Sequence, residues 1–141
     1  MQHNEDVGTR VDLCKYRLEV AHKDVESAKV LLGIDDYRGA NNRAYYAIFH
    51  AINAIHALDG MSYKKHKDAI ANFNKNYIKT EIFSRDWGRK INEAEQIRHA
   101  SDYDDFYIAS KQESVSQVEL AEELLIEIEK YYEEVIGRDG E

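Results

Sequence analysis

The sequence predicts an all-α fold, a single antiparallel bundle of about five helices that run up and down, and three observations support this prediction. Seven glycines and no proline among 141 residues leave few of the residues that a barrel or a sandwich needs in its turns. Apolar residues recur at alternating steps of three and four along most of the chain. Apolar residues make up 43% and charged residues 33%, which is typical of a chain that buries a core. A chain of this length is expected to form one domain, over residues 1–141.

The first two helices are predicted from their apolar stripes and their stop signals. The first stripe begins at Val11 and stops before Gly33, and its members are Val11, Cys14, Leu18, Ala21, Val25, Ala28 and Leu32. The second helix begins within residues 35–39 and ends at about Leu58, before the Asp59-Gly60 break. Its isoleucines and alanines cover nearly the whole circumference, which is typical of a helix at the centre of a bundle.

Three more helices are predicted further along the chain. A short apolar pattern spans about residues 65–79, and a second one runs from about Phe83 to Tyr103 with Arg98 close to its inward stripe. The last helix spans about residues 111–136 and carries glutamates on its outer face. Its predicted inward residues are Val115, Val118, Leu124 or Leu125, Ile128, Tyr132 and Val135.

The formal net charge of -8 is not spread evenly along the chain. The whole excess of acidic residues lies in residues 113–141. Residues 61–80 instead carry five lysines against one acidic residue, Asp68. This basic segment would attract a phosphate-bearing ligand. The alternative is a basic turn that is simply solvated.

Cysteine content and hydropathy bear on the location of the protein. Cys14 is the single cysteine, so no internal disulfide can form, and the first ten residues lack the apolar stretch of a signal peptide. No run of about 18 apolar residues occurs that would span a membrane. We therefore expect a cytoplasmic protein without a membrane span.

The six histidines do not have the spacing of a metal site. Glu19 and His22 form one Glu-x-x-His step, whereas a di-iron bundle needs two. His50 and His56 are six residues apart, which turns them about 240° from one another around a helix. Glycine-rich phosphate loops and nucleophile elbows do not occur in the sequence either. We expect no metal and no other cofactor.

A polar face is predicted on the second helix. Asn42, Tyr46, His50 and Asn53 follow one another at steps of four, four and three, so they share one side of the helix. Two interpretations stay open. The face packs on another helix through a satisfied polar network, or it lines a cleft that binds a nucleotide or an RNA backbone.

A second polar set lies at the end of the fourth helix. Arg98 and Asp102 are four residues apart, and so are His99 and Tyr103, so each pair shares a helix face. Arg98 falls near the inward stripe, where an unpaired guanidinium is costly. We therefore expect Arg98 to project into a cleft or to pair with a buried acid.

Three stretches of polar and aromatic residues occur together in one known family. They are Asn42-Arg43-Ala44-Tyr45-Tyr46-Ala47-Ile48-Phe49-His50-Ala51, then Lys65-His66-Lys67 with Phe73 downstream, and then Arg98 to Tyr103, which ends in Asp102-Tyr103-Asp104. Together they resemble the HEPN domain, a nucleotide-binding helical domain shared by prokaryotes and higher eukaryotes. The resemblance covers about residues 12–135 and is strongest to the stand-alone bacterial and archaeal subgroup.

The resemblance implies an antiparallel bundle of about five helices that forms a homodimer. Many family members are RNases of toxin–antitoxin modules, and they are frequently paired with a small nucleotidyltransferase. Their active site is an Arg-x4–6-His motif, with two copies facing one another across the dimer. Arg98 matches the arginine of that motif, whereas Tyr103, Asp104 and Asp105 stand where the histidine is expected.

Cleavage of RNA without a metal needs a cation at the phosphate and a group whose pKa is near neutrality. Arg98 supplies the cation, but a tyrosine hydroxyl, with an ordinary pKa of about 10, is a poor base at pH 7. Three histidines could replace it: His50, His66 and His99. The candidate catalytic residues are therefore Arg98, His99, Asp102 and Tyr103, and the candidate nucleotide-binding residues are Asn42, Tyr46, His50, Lys64, Lys65 and His66.

The sequence leaves two functions open. In the first, the chain binds a nucleotide or RNA and is the RNase or toxin of a module paired with a minimal nucleotidyltransferase. In the second, it is a non-catalytic partner or scaffold that holds a nucleotidyltransferase or a nucleotide with the same residues. Both require that Arg98 faces a crevice rather than open water.

Overall fold

The described part of the chain forms five α-helices, which confirms the prediction of an all-α bundle. The computed structural model describes residues 4–139, with side chains from residue 8 to residue 138, and this part of the chain contains no strand. The helices are α1 (Asn4–Gly33), α2 (Tyr37–Leu58), α3 (His66–Phe73), α4 (Asp86–Tyr103) and α5 (Lys111–Asp139). A single π-helical turn, Asn74–Ile78, continues α3.

Two predicted helix starts differ from the observed ones. Helix α1 begins at Asn4 rather than near Val11, because the apolar stripe marks where the helix packs and not how far its backbone hydrogen bonds extend. Helix α4 begins at Asp86 rather than near Phe83. Phe83 is buried in the turn that precedes the helix, so its apolar character reports burial in that turn.

Helix α2 lies at the centre of the bundle, as its apolar circumference predicts, and it packs against each of the four other helices. Its contact with α1 is the most extensive in the described part of the chain. Small side chains on α2 allow this close approach, and they are completely buried: Ala44, Ala47, Ala51 and Ala54. The buried residues of α5 face α2 and include Val118, Leu124, Leu125 and Ile128.

Two residues near the start of α2 cap this helix and attach it to the end of α4, and so position the polar residues of the two helices. The carboxylate of Asp36 caps the helix by accepting a hydrogen bond from the backbone N–H of Gly39, at 2.9 Å. A Cβ at position 39 would lie 2.5 Å from Asp36 Oδ2, so the cap requires glycine there. Arg38 then binds the end of α4, because it donates to the carbonyls of Ser101, Asp104 and Tyr107.

Cys14 illustrates how completely the interior is closed. Its side chain has no exposed surface and belongs to the main hydrophobic cluster. Burial raises the pKa of its thiol to about 12. None of the helices in residues 4–139 has the length and hydropathy that crossing a bilayer requires.

Candidate functional site

The guanidinium of Arg98 on α4 lies against two tyrosine rings of α2. Its central carbon is 4.7 Å from the ring centroid of Tyr45 and 5.7 Å from that of Tyr46. Both tyrosines lie in the first half of α2, about two to three turns after the Asp36 cap. The inward stripe of α4 continues to Arg98, and only 14% of its side chain is exposed.

Arg98 keeps its charge although it is enclosed. Burial lowers the pKa of the guanidinium, but a hydrogen bond to Tyr45 and the neighbouring Tyr46 and Asp102 raise it by more, so the net pKa lies above the usual value. The nearest carboxylate oxygen, Oδ2 of Asp102, is 3.6 Å from a terminal nitrogen of Arg98. Nε of Arg98 is buried and has no hydrogen-bond partner within the described residues. A partly buried cation whose nearest carboxylate lies as far away as 3.6 Å is suited to bind an anion.

His66, the first residue of α3, completes the aromatic cluster. Its ring stacks on Phe49 with centroids 3.7 Å apart, and its Nδ1 is 3.0 Å from the hydroxyl of Tyr45. Burial raises the pKa of Tyr45 to about 12, so its hydroxyl stays protonated and can donate to His66. Burial first, and then the nearby charge of Arg98, lower the pKa of His66. His66 is therefore a neutral ring at pH 7.

A chain of hydrogen bonds links three helices beside this cluster. Asn42 of α2 donates to both oxygens of Asp102 on α4, at 3.1 and 2.8 Å. Arg43 donates to the side-chain oxygen of Asn42, at 2.9 Å, and to Oδ1 of Asp24 on α1, at 3.2 Å. Oδ2 of Asp24 is 2.8 Å from Nδ1 of His50. These contacts hold the polar face of α2 in a fixed arrangement from α1 to α4.

A cleft of about 550 Å³ opens between α3 and α4 next to Arg98. Most of the side chains that line it are basic or acidic, and the two acidic ones are Glu95 and Asp104. The other lining residues are His66, Lys67, Gln96, Arg98, His99 and Ala100. The volume is in the range that binds a small polar ligand.

The structure brings most of the predicted site residues to this region. Asn42, Tyr46, His50, His66, Arg98 and Asp102 lie in one connected cluster of side chains. His99 lines the cleft together with Arg98, although it follows Arg98 by about 100° around the helix, because the cleft is wider than one helix face. Its ring centroid is 4.9 Å from that of Tyr103, which is 67% exposed.

Lys64 and Lys65 are placed differently from the other predicted residues. Both are exposed in the segment before α3, and neither lines the cleft. The lysine that lines it is Lys67, in the first turn of α3. The basic charge of the segment is thus close to the cleft, but the sequence did not reveal which lysine faces it.

Sequence reasoning missed Asp24 and Arg43 as members of the site. Asp24 is buried on α1, and a signal for it was available: it lies three residues after Ala21 and four before Ala28, on the apolar stripe. A lone acid in such a stripe indicates a buried basic partner. Arg43 is part of the stretch that resembles the family, and its guanidinium lies 4.8 Å from the ring centroid of Tyr46, a ring that Arg98 contacts as well.

Within residues 4–139, no group of three or more histidine, cysteine, aspartate or glutamate side chains converges in a way that could hold a metal ion. Two carboxylates near the cleft that could act as metal ligands are held in hydrogen bonds, Asp24 with His50 and Asp102 with Asn42.

Comparisons with known proteins found a matching family model and several similar proteins. The family model of the HEPN domain matches residues 14–131. A UPF0332 protein of Thermotoga maritima is 28% identical over 123 residues, which cover 87% of this chain and 93% of the relative.

Two further relatives come from Methanocaldococcus jannaschii, and both are described as candidate toxins. One is 33% identical over 86 residues, which cover 61% of this chain and 64% of the relative. The other is 31% identical over 97 residues, which cover 69% of this chain and 66% of the relative. The alignments thus include just under two thirds of each candidate toxin.

Proposed function

Because the chain belongs to the HEPN domain family, we propose that it binds RNA in the cleft between α3 and α4 and cleaves it as the toxin of a toxin–antitoxin module. The observation that carries this proposal is the state of Arg98. Its guanidinium is charged and 14% exposed, it lies at the cleft, and its Nε has no hydrogen-bond partner in the described part of the chain. Because Nε itself is buried, a phosphate oxygen would meet the part of the guanidinium that lines the cleft, in a short charge-assisted contact that Asp102, at 3.6 Å, does not make.

The other side chains of the cleft suit a ribonucleotide. Lys67 and His99 would contact the phosphates on either side of the one held by Arg98. Glu95 and Asp104 would accept hydrogen bonds from ribose hydroxyls or base amino groups. The acidic surface of α5 repels RNA from the other side of the bundle and so favours docking at the cleft.

The toxin assignment is supported by the two archaeal relatives with that description, at 31 and 33% identity. Expression of the chain in a bacterial host is expected to arrest growth. Co-expression of a small nucleotidyltransferase encoded beside it is expected to restore growth, because the family resemblance implies such a partner. Growth that continues unchanged during expression would contradict the toxin assignment.

We further propose that two copies pair with their clefts facing one another. The last residue of α4 and the segment after it expose large apolar side chains beside the cleft, with Phe106 93% exposed and Tyr103 and Ile108 also mostly exposed. Apolar side chains exposed this close together are typical of an interaction surface. Sedimentation equilibrium tests the assembly, and a monomer at every concentration up to the level of the RNA assays would contradict it.

The cleavage proposal is tested by comparing two arginines of α4. Arg98 and Arg89 each pair with an acid four residues ahead, but Arg89 is mostly exposed and lies outside the cleft. We expect Arg98→Ala to weaken RNA binding at least tenfold and to abolish cleavage, since one charge-assisted hydrogen bond is worth about 1.5–3 kcal/mol. Arg89→Ala should change both by less than twofold. Fluorescence anisotropy on a short single-stranded RNA and gel analysis of its products, each with and without EDTA, make the measurement.

Each result of this experiment separates the functions that the sequence leaves open. Cleavage that is unchanged in Arg98→Ala would place the active site elsewhere. If the wild-type chain forms the dimer but shows no RNA binding and no cleavage, that result would favour the non-catalytic scaffold. Cleavage that EDTA abolishes would show that a metal ion takes part.

A further inference from the structure

His50, at the end of the polar stretch of α2, forms a hydrogen-bonded pair beside the cleft with Asp24 of α1, which lies outside the stretches that resemble the family. Nδ1 of His50 on α2 is 2.8 Å from Oδ2 of Asp24 on α1. The other carboxylate oxygen, Oδ1, accepts a hydrogen bond from Arg43 at 3.2 Å. Asp24 is buried, so both of its oxygens are fixed by these two partners. The carboxylate accepts from His50, which places the proton of the neutral ring on Nδ1 and leaves a lone pair on Nε2.

The free nitrogen of His50 belongs to the same cluster as Arg98. The ring centroid of His50 is 6.0 Å from that of Tyr46, and Tyr46 also contacts Arg98. On its other side His50 is 5.8 Å from Phe49, which stacks on the cleft residue His66. About 30% of the His50 side chain is exposed, and Nε2 makes no hydrogen bond to any residue that the structure describes. The ring is therefore anchored at one nitrogen and available at the other.

We propose that His50 is the base of the RNA cleavage reaction and that Asp24 is the positioning residue that holds its ring in the reactive orientation. This inference rests on the proposed function, and it supplies the proton acceptor that the positions after Arg98 lack. A histidine held by a carboxylate at one nitrogen and open at the other is the arrangement that proton transfer requires.

The reaction that this pair would support is an internal transfer of the phosphate ester. Nε2 of His50 takes the proton from a ribose 2'-hydroxyl, and the 2'-oxygen forms a bond to the adjacent phosphorus. The bond from phosphorus to the 5'-oxygen of the next nucleotide breaks, and that oxygen takes a proton from water. The products are a 2',3'-cyclic phosphate and a 5'-hydroxyl, and His50 then returns its proton to solvent. Arg98 neutralises the charge that develops on the phosphate oxygens.

The other candidate bases are less suited to this role. Tyr45 stays protonated, with its pKa raised to about 12 by burial, and its hydroxyl engages Nδ1 of His66. Tyr103 points largely into solvent. His99 contacts the ring of Tyr103, and among the described residues no carboxylate holds it in one orientation. His50 is thus the histidine near Arg98 that a carboxylate fixes.

The chain contains a matched pair for a control experiment. Nε2 of His22 on α1 is 2.9 Å from Oε1 of Glu129 on α5, so it is also a histidine paired with a carboxylate. It lies in the groove between α1 and α5, away from the residues that line the cleft. His22→Ala removes a histidine of the same type without touching the proposed site.

The test compares cleavage and binding in the full-length His50→Ala and His22→Ala variants. For His50→Ala we expect the rate of cleavage of a short single-stranded RNA to fall at least 100-fold. Its affinity for the same RNA with 2'-O-methyl groups, which cannot be cleaved, should change less than threefold. Imidazole added at tens of millimolar should restore part of the rate, because it can occupy the space and accept the proton. His22→Ala should cleave at the wild-type rate and show no response to imidazole.

The role of Asp24 is tested in the same assay. Asp24→Asn is expected to lower kcat about tenfold and to leave KM within twofold, since the carboxamide no longer fixes the tautomer of His50. In the His50→Ala background the same substitution should have no further effect on kcat. Circular dichroism at the assay temperature confirms that each variant is folded, and His50→Gln serves in place of His50→Ala if alanine prevents folding.

The outcomes distinguish this inference from the function on which it rests. Wild-type cleavage that persists in His50→Ala and His50→Gln would overturn the role of His50 and leave the proposed function intact. Lost cleavage without rescue by imidazole, together with weaker binding, would show a structural role instead. A wild-type chain that binds RNA but never cleaves it would overturn both the cleavage and the role of the pair.

Discussion

The bundle carries similar polar pairs on two faces, but it buries them to different extents. On the face formed by α1 and α5, His22 pairs with Glu129, and their side chains are 56% and 36% exposed. Where α1, α2 and α4 meet, His50 pairs with Asp24, and their side chains are 30% and 10% exposed. The two contacts have nearly equal lengths, 2.9 and 2.8 Å.

The different exposure of these two pairs shows that the same residue types behave differently depending on how deeply they are buried. The α1–α5 pair is open to water, so solvent replaces either partner at little cost. In the buried cluster Asp24 has two partners, because its carboxylate holds both His50 and Arg43. Removal of one of these groups leaves another without its hydrogen bond. Because little water can replace the lost partner, the protein loses stability. The cluster is therefore both more rigid and more sensitive to substitution.

The largest expected effect compares exposed apolar residues on the two faces. Phe106 follows α4 beside the cleft, and Ile126 lies on α5 with 52% of its surface exposed. If the clefts of two copies face one another, Phe106→Asp should raise the dissociation constant of the dimer at least 100-fold, since it places a charge at the centre of the contact. Ile126→Asp should change it less than threefold. Analytical ultracentrifugation measures both, and equal effects of the two substitutions would place the interface elsewhere.

The next effect compares the two carboxylates. Asp24→Asn should lower the free energy of unfolding by about 2 kcal/mol, because Arg43 and His50 lose their charged partner. Glu129→Gln should lower it by less than about 0.5 kcal/mol, as is usual for an exposed pair. Urea denaturation followed by circular dichroism provides the values. A smaller loss for Asp24→Asn than for Glu129→Gln would mean that burial does not govern these pairs.

The smallest effect concerns a buried histidine whose hydrogen bond is to a backbone carbonyl rather than to a carboxylate. Nε2 of His56 is 2.9 Å from the carbonyl oxygen of Ala69, and burial lowers the pKa of the ring below the ordinary value of 6.5. Below about pH 6.5 the unfolded chain therefore binds a proton that the folded chain does not, so stability is lost as the pH falls. His66 has a lowered pKa as well and contributes in the same direction.

His56→Gln isolates the contribution of His56 to this pH dependence. Glutamine can still donate to the Ala69 carbonyl but does not titrate, so we expect a smaller loss of unfolding free energy between pH 7.5 and pH 5 than in the wild type. Urea denaturation at the two pH values measures the difference. A pH dependence equal to that of the wild type would show that His56 does not contribute.

Much of the fold could be predicted because helical periodicity reports burial directly. The predicted bounds of α2 agree with its observed range, Tyr37–Leu58, and the inward stripe of α4 places Arg98 among side chains rather than in open solvent. The pairs at a spacing of four, Arg98 with Asp102 and His99 with Tyr103, are present because they depend only on helix geometry.

The rest of the site depends on how different helices meet, which periodicity does not specify. Asp24 contacts residues 19 and 26 positions away on another helix, so no local spacing connects them. The orientation of Lys64 and Lys65 depends on an irregular segment before α3, where neither a helical nor a strand period applies. The role of His99 could not be judged from its rotation around α4 alone, because the width of the cleft is set by α3.

The burial of Cys14 has a practical consequence for these experiments. It is the single cysteine of the sequence and has no exposed surface, and its raised pKa keeps the thiol protonated while the bundle is closed. An alkylating reagent therefore reacts only with molecules in which the packing around α1 has opened. The labelling rate then reports how often this helix opens in native buffer, and no fluorophore or engineered residue has to be introduced.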